Sequence, residues 1–207
     1  MLTATLAAPS AGPLDQTHTR ALTAAAARTQ PIRKAARVAS FNGWTTAIIA
    51  ALSAVVTWFA FDLVGFLVTL ALAIVAFNEF RGRKRLLAFD PLAATMLGWN
   101  QVGLLAMITA YCLWALYSNL LGSNTLEAQL KASPELGAAF GSLEGMDGFD
   151  GLYRQIVLAL YGSVIALSAV FQGANAYYYF TRRRVIEDYV RETPEWVLEL
   201  LRATRPA

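Results

Sequence analysis

Four long apolar segments, separated by shorter polar or charged stretches, dominate this chain of 207 residues. A helix needs about 20 mostly apolar residues to cross a hydrocarbon core about 30 Å thick. The second segment is short, with 16 residues between Asp62 and Glu79, so either one of those charges lies in the interface or the bilayer thins there, and the alternative is a re-entrant hairpin. The pattern predicts an all-α integral membrane protein, a four-transmembrane-helix bundle made of two hairpins. The predicted spans are about 41–61, 63–80, 97–120 and 153–180.

The fourth segment carries a regular series of small residues. It has no charged residue over the 27 positions from Gln155 to Thr181. Within it, small residues recur at steps of four, three, four and three, which places them on one face of a helix. Helices in lipid approach each other closely over such faces, so the series predicts a helix-packing surface. The alternative is that alanine and glycine are simply common in this chain. The small-residue stripe consists of Gly162, Ala166, Ala169, Gly173 and Ala176.

The charges indicate the orientation of the chain. Of the residues, 57% are hydrophobic and only 15% are charged, and the basic ones cluster before the first span, after the second and after the fourth. The loop 122–151 is acidic, so the positive-inside rule predicts cytoplasmic termini and an external loop, in the inner or plasma membrane. An Arg-rich, acid-poor N terminus leaves an organelle membrane as the alternative. The predicted topology and lipid anchors are Arg81, Arg83, Lys84, Arg85, Arg182, Arg183 and Arg184.

The two ends of the chain differ from the spans. Residues 1–40 are predicted to be a mobile Ala/Thr/Arg-rich cytoplasmic tail that ends in a basic interfacial segment. Residues 185–207 predict two short amphipathic helices, the second starting at Pro194 with Thr193 as its cap. Their apolar faces fit either the membrane surface or a partner protein. A further short helix is expected near Ser133 in the acidic loop.

Polar residues occur near the cytoplasmic end of every span. Such groups are costly in lipid and often functional, so we predict a shared polar layer, either a hydrogen-bonded clamp or the floor of a vestibule. The competing explanation is that amides collect at helix ends because water is near. Glu79 could instead pair with Arg83 four residues later on one helix face. The members of the predicted layer are Asn42, Asn78, Glu79, Asn100, Gln101, Gln172 and Asn175.

A weak internal repeat relates the two hairpins. A Gly-Trp pair opens both the first and the third span, at Gly43 and Gly98. A phenylalanine followed by basic residues closes the second and the fourth, at Phe80 and Phe180. The two hairpins run in the same sense, so the repeat would be a parallel one. Aromatic and then basic residues also end any inward-pointing span, which is the alternative explanation.

Residues for catalysis are scarce. The one histidine, His18, lies in the predicted tail, and the one cysteine is Cys112. The chain therefore lacks the residues for a Ser-His pair in the membrane, for a histidine-ligated metal or haem, and for a multi-cysteine site. We therefore expect no catalytic residue, no metal and no cofactor. Because the basic clusters lie beside apolar spans, we also expect no nucleic-acid partner.

These observations favour a non-catalytic structural, assembly or accessory subunit of a membrane complex. Its expected partners are the lipid bilayer and either another membrane protein or a second copy of the chain. One alternative is a channel or transporter for a small solute, which rests on the amide groups of the polar layer. Another is an enzyme that modifies lipid headgroups, with Glu79 and Asp90 facing the membrane surface.

Overall fold

The computed structural model describes residues 15–60, 63–120 and 149–204, and within these ranges the chain is all-helical, without strands. The predictions for the first 14 residues, for Asp62 and for residues 121–148 of the acidic loop lie outside the described residues. Six helices are present in the described ranges. They are α1 (Gln16–Arg28), α2 (Gln30–Ala60), α3 (Leu63–Leu87), α4 (Pro91–Leu120), α5 (Phe149–Glu192) and α6 (Glu195–Ala203).

Four of these helices, α2 to α5, are long and apolar enough to cross a membrane, which confirms the number of apolar helices predicted from the sequence. All four extend past the predicted spans at the end that carries the basic clusters, here called the basic end. α2 begins at Gln30 rather than near Phe41 because Pro31 falls in its first turn, where the missing N–H leaves no hydrogen bond unmade. The described part of the segment expected as a tail, from residue 15 onward, therefore forms α1 and the start of α2.

The four long helices pack mainly in two pairs, α2 along α3 and α4 along α5, and each pair is called a hairpin below. α3 also contacts α4, and α2 contacts α5 less extensively. The same local contact closes both hairpins at the basic end. A Cβ on Gly43 would lie 3.1 Å from the Phe80 ring, and one on Gly98 would lie 2.7 Å from the Phe180 ring. Glycine at these two positions lets the helices approach closely.

Neighbouring tryptophans strengthen this correspondence between the hairpins. Trp44 meets Phe80 edge-to-face with ring centroids 5.6 Å apart, and Trp99 meets Phe180 in the same way at 6.0 Å. Edge-to-face geometry is a favoured arrangement of aromatic pairs. The residues that suggested an internal repeat therefore occupy equivalent places in the two hairpins.

The basic end has a buried core like that of a soluble helical protein, whereas the opposite end exposes its large apolar side chains. At that opposite end Trp58, Phe66 and Leu167 are all more than half exposed, as lipid-facing residues would be. The core shows that the helix extensions pack on one another rather than lying singly on a surface. Its buried members are Ile32, Ala35, Ala36, Ala39, Leu86, Phe89, Ala93, Ala94, Leu97, Tyr179, Ile186, Tyr189 and Leu198.

The C-terminal segment differs from the prediction in two respects. α5 runs without a break from Phe149 through the basic cluster to Glu192, so the first of the two expected amphipathic helices is the last part of α5. Its apolar stripe packs into the basic-end core, which keeps it in line with the span. α6 does follow the Thr193-Pro194 step, but Pro194 stands at its N-cap position without a side-chain cap. The prediction that Thr193 caps α6 was therefore wrong.

A tight turn joins α3 to α4. Phe89 has a left-handed backbone conformation, φ 59°, which is uncommon for a residue with a side chain. Its ring is buried and lies 5.0 Å from that of Tyr189, which holds the turn in place. Asp90 then accepts a hydrogen bond from the Leu92 N–H at 2.9 Å, and Pro91 is the first residue of α4.

Candidate functional site: a buried carboxylate between the two hairpins

Glu79 lies at the point where the two hairpins meet. Its side chain is fully buried, with 0% of its surface exposed. One carboxylate oxygen, Oε1, accepts hydrogen bonds from the side-chain amides of Asn100 at 2.8 Å and Gln101 at 2.7 Å. The other, Oε2, accepts one from the Tyr179 hydroxyl at 3.2 Å. The carboxylate thus binds two residues of α4 and one of α5.

Further hydrogen bonds extend this network to all four long helices. Asn42 on α2 donates to the Tyr179 hydroxyl oxygen at 3.4 Å. Asn78 donates to the Asn100 side-chain carbonyl at 3.2 Å, and Asn100 also donates to the backbone carbonyl of Val75 at 3.1 Å. Each long helix therefore supplies at least one member of the network.

The network has no cationic member among the described residues: none of their ion pairs involves Glu79. The expected pairing of Glu79 with Arg83 is replaced by the three neutral donors. The reason is that Glu79 faces the centre of the bundle, whereas Arg83 is exposed on the outside of α3. Burial of an unpaired carboxylate is tolerated only where hydrogen bonds satisfy its oxygens, and these three donors do so.

The structure brings together five of the seven residues of the predicted polar layer. Asn42, Asn78, Glu79, Asn100 and Gln101 share the network described above. The remaining two, Gln172 and Asn175, lie on α5 and line a neighbouring cavity.

Sequence reasoning missed one central member, Tyr179, because a tyrosine near a membrane interface is ordinarily an aromatic anchor. The internal repeat contained the information that could have identified Tyr179 as a member of the network. Tyr179 immediately precedes Phe180, as Glu79 immediately precedes Phe80.

The neighbouring cavity is a cleft between α2 and α5 with a volume of about 890 Å³. Lys34 and Arg37 lie at its basic end, and side chains such as Phe41 and Phe171 form its apolar walls. A second cavity of about 450 Å³ continues it toward the opposite end of the bundle. The two cavities share the lining residues Thr45, Thr46, Leu104 and Gln172.

The small-residue stripe of α5 faces away from the rest of the chain over most of its length. Gly162, Ala166, Ala169 and Gly173 are exposed, and only Ala176 at the basic end is buried. A Cβ on Gly162 or on Gly173 would meet no atom within 4 Å. Over these four residues the stripe therefore has no packing partner in the part of the chain that the structure describes.

The predicted anchor residues surround the basic end. Arg81, Arg83, Lys84, Arg183 and Arg184 are exposed there.

Three of the anchors on α3 and α5 have clear partners, one of them being Arg183, which forms an ion pair with Glu187 at 2.7 Å. Arg85 forms an ion pair with Asp90 at 2.8 Å. The Arg182 guanidinium lies 4.6 Å from the centre of the Tyr178 ring. Asp90, which also accepts from Leu92, thus has both of its side-chain oxygens engaged.

The described residues contain no group of three or more histidine, cysteine, aspartate or glutamate side chains placed to hold a metal ion. Fold and site together define an all-helical protein with four membrane-length helices, joined at one end by a buried carboxylate. Comparisons with models of protein families, with curated proteins and with solved structures found no match for this chain.

Proposed function

We propose that this chain crosses a membrane four times, with both termini cytoplasmic, and serves as a non-catalytic structural, assembly or accessory subunit of a membrane complex. The exposed small-residue stripe on α5 is the observation that carries this proposal. In lipid, exposed large apolar side chains are already solvated, so they do not drive association. Small residues do, because they allow a second helix to approach the backbone closely.

The exposure of α5 supports the same proposal. In its most apolar stretch of 18 residues, only 6% of the residues are buried, against 17% to 22% in the corresponding stretches of the other three membrane-length helices. Its apolar part is thus covered by its own chain less than any of the others. The stripe is free to meet a helix of another protein.

The hydrogen-bonded network supports a structural role for Glu79. Its carboxylate is enclosed by donors from α4 and α5, so it does not face lipid headgroups. Asp90, the second residue on which an enzyme of lipid headgroups would depend, is engaged by Arg85 and by the backbone of α4. The network instead joins the two hairpins, as interhelical amide bonds do in other membrane bundles.

The experiment is to purify the tagged protein from its native membrane in mild detergent and to determine the mass and composition of the intact particle. We expect foreign subunits in fixed stoichiometry. In the double variant Gly162→Leu, Gly173→Leu they should be lost while the chain itself stays folded, because no described residue packs on either glycine. The matched control is Ser163→Leu, which adds the same side chain at an exposed position about 100° further around the same helix.

A particle that contains this chain alone, as a monomer or a homo-oligomer, would contradict the accessory role. Equal loss of partners in Ser163→Leu and in the glycine double variant would show that the stripe is not the binding surface, because a bulky side chain elsewhere on α5 would then displace the partners as well.

A channel or transporter for a small solute is the second candidate, favoured by the amide groups that line the cleft. Asn42, Gln101, Gln172 and Asn175 all reach it. Gln172→Leu with Asn175→Leu should then abolish solute flux into liposomes without unfolding the chain, because neither residue belongs to the Glu79 network. Flux equal to that of empty liposomes for the unaltered protein would reject this candidate.

A further inference from the structure

The cleft between α2 and α5 is the open counterpart of a closed interface. In a parallel arrangement of two similar hairpins, the contact of α3 with α4 corresponds to the contact of α5 with α2. The first is closed by the bonds from Asn100 and Gln101 to Glu79. The corresponding positions on the other side are Thr45, Thr46 and Tyr179. Tyr179 accepts a hydrogen bond from Asn42 of α2, whereas the two threonines line the cleft of about 890 Å³. The space is thus built into the arrangement of the hairpins.

One end of the cleft is cationic. Lys34 and Arg37 lie one turn apart on α2, both are exposed, and neither takes part in an ion pair among the described residues. Arg182 stacks on Tyr178, which also lines the cleft, and adds a third positive charge nearby. None of the described residues that line the cleft carries a carboxylate, and that of Glu79 is buried behind Gln101. The electrostatics of this end favour an anion.

The rest of the cleft is mainly apolar and long. From Lys34 to Thr46 it follows α2 over about 18 Å of helix rise, and the adjoining cavity continues it to Ile49. Phe41, Leu104 and Phe171 supply apolar wall, while the amides of Asn42 and Asn175 lie at an intermediate height. An occupant that matches this order has an anionic head, a polar middle and an apolar tail. The volume of the cleft, about 890 Å³, is within the range of specific ligand sites, about 300–1,000 Å³.

We propose that this cleft binds a phospholipid with an anionic headgroup, drawn from the surrounding bilayer. The headgroup phosphate lies between Lys34 and Arg37, the ester region meets the amides of Asn42 and Asn175, and the acyl chains fill the apolar part. Acyl chains alone would enter any gap that faces lipid. The cationic end makes the site selective for the anionic class.

The test uses the full chain in phosphatidylcholine vesicles that contain trace photoreactive phosphatidylglycerol or, in parallel, trace photoreactive phosphatidylcholine. We expect phosphatidylglycerol to crosslink preferentially to α2 and α5 around the cleft. In Lys34→Gln with Arg37→Gln this preference should fall by about thirtyfold, which corresponds to two contacts of about 1 kcal/mol each. The matched control, Arg33→Gln with Arg83→Gln, removes the same charge from exposed residues of the same end that line a different cavity.

A second pair of variants tests the volume rather than the charge. Ala174→Trp fills the cleft from an exposed position on α5 and should displace both lipid probes. Val170→Trp adds the same bulk one turn away, outside the cleft, and should leave crosslinking unchanged.

Equal crosslinking of the two lipids in the unaltered protein would overturn the proposal, and so would an equal loss in the charge variant and its control. Neither result would bear on the accessory role, because none of the stripe residues lines the cleft.

Discussion

Glu79 shows how one residue can decide whether two hairpins form one bundle. Without an acceptor at its position, the Gln101 amide and the Tyr179 hydroxyl would lose the bonds that they donate to Glu79, and the Asn100 amide would keep only its bond to the Val75 carbonyl. An unsatisfied buried donor costs about 1–3 kcal/mol, so the acceptor matters more than the average hydrogen bond. The negative charge itself is less important for holding the bundle, because buried charges also carry a desolvation cost.

A pair of substitutions at Glu79 separates the acceptor from the charge. Glu79→Leu removes the acceptor of three hydrogen bonds and should lower the free energy of unfolding by about 3 kcal/mol or more. Glu79→Gln keeps one carbonyl oxygen for Asn100 and Gln101 and should cost about 1 kcal/mol. The measurement is reversible unfolding in detergent micelles, followed by tryptophan fluorescence. Equal tolerance of the two changes would mean that the carboxylate does not hold the bundle together.

Tyr179 provides a coupled test of the same network. In the unaltered protein, Tyr179→Phe removes the hydroxyl that donates to Glu79 and should cost about 1 kcal/mol of unfolding free energy. In the Glu79→Leu background the same change removes a donor that has already lost its acceptor, so it should be neutral or stabilising. A double-mutant cycle would give a coupling of about 0.5–3 kcal/mol. Additive effects of the two substitutions would show that the two side chains do not interact.

At the scale of helices, glycines set the distances within the hairpins. Gly98 faces the Phe180 ring so closely that even a methyl group would overlap with it. Gly103, five residues later on the same helix, is exposed, and a Cβ there would meet nothing within 4 Å. The two glycines of α4 thus have opposite surroundings in one helix, which makes them a matched pair.

Alanine at these two positions should change stability in opposite directions. Gly98→Ala forces α4 and α5 apart or displaces the Phe180 ring, and we expect a loss of about 1–3 kcal/mol in unfolding free energy. Gly103→Ala removes the conformational entropy cost of glycine without a clash and should add about 0.5–1 kcal/mol. Thermal unfolding of both variants in the same micelles compares them directly. A stabilising Gly98→Ala would show that this contact is not tight in solution.

The helices themselves follow from the hydrophobic pattern, but their ends and partners do not. The apolar length predicts four membrane-length helices because lipid leaves no other way to satisfy the backbone. The pattern stops where charges begin, so it missed the extension of α5 through Arg182 to Glu192, which depends on packing against Ala94, Leu97 and other residues far away in sequence. It also treated Glu79 as an interfacial charge, because burial depends on which face of α3 the neighbouring hairpin covers.

At the scale of the molecule, the two ends of the bundle are built differently. The basic end is closed by a buried core, by the Glu79 network and by α1 and α6, with Arg28 on α1 paired to Glu192 on α5 at 2.9 Å. The opposite end exposes large apolar side chains and contains the uncovered part of the stripe. This division fits a membrane protein whose helices continue from the bilayer into water on one side. The proposed orientation, which rests on the positive-inside rule, places that side in the cytoplasm.

Labelling from one side of the membrane tests this orientation. A version with Cys112→Ala provides a background without cysteine, and single cysteines are then introduced at exposed positions, Glu199→Cys on α6 and Leu152→Cys near the opposite end of α5. The positive-inside rule predicts that a membrane-impermeant maleimide added to intact cells labels Leu152→Cys but reaches Glu199→Cys only after the membrane is opened. The reverse pattern would invert the topology and would place the cationic mouth of the cleft in the external leaflet. Because the cytoplasmic leaflet is the one rich in anionic lipid, the same experiment also decides whether the cleft faces the lipids that its charges fit.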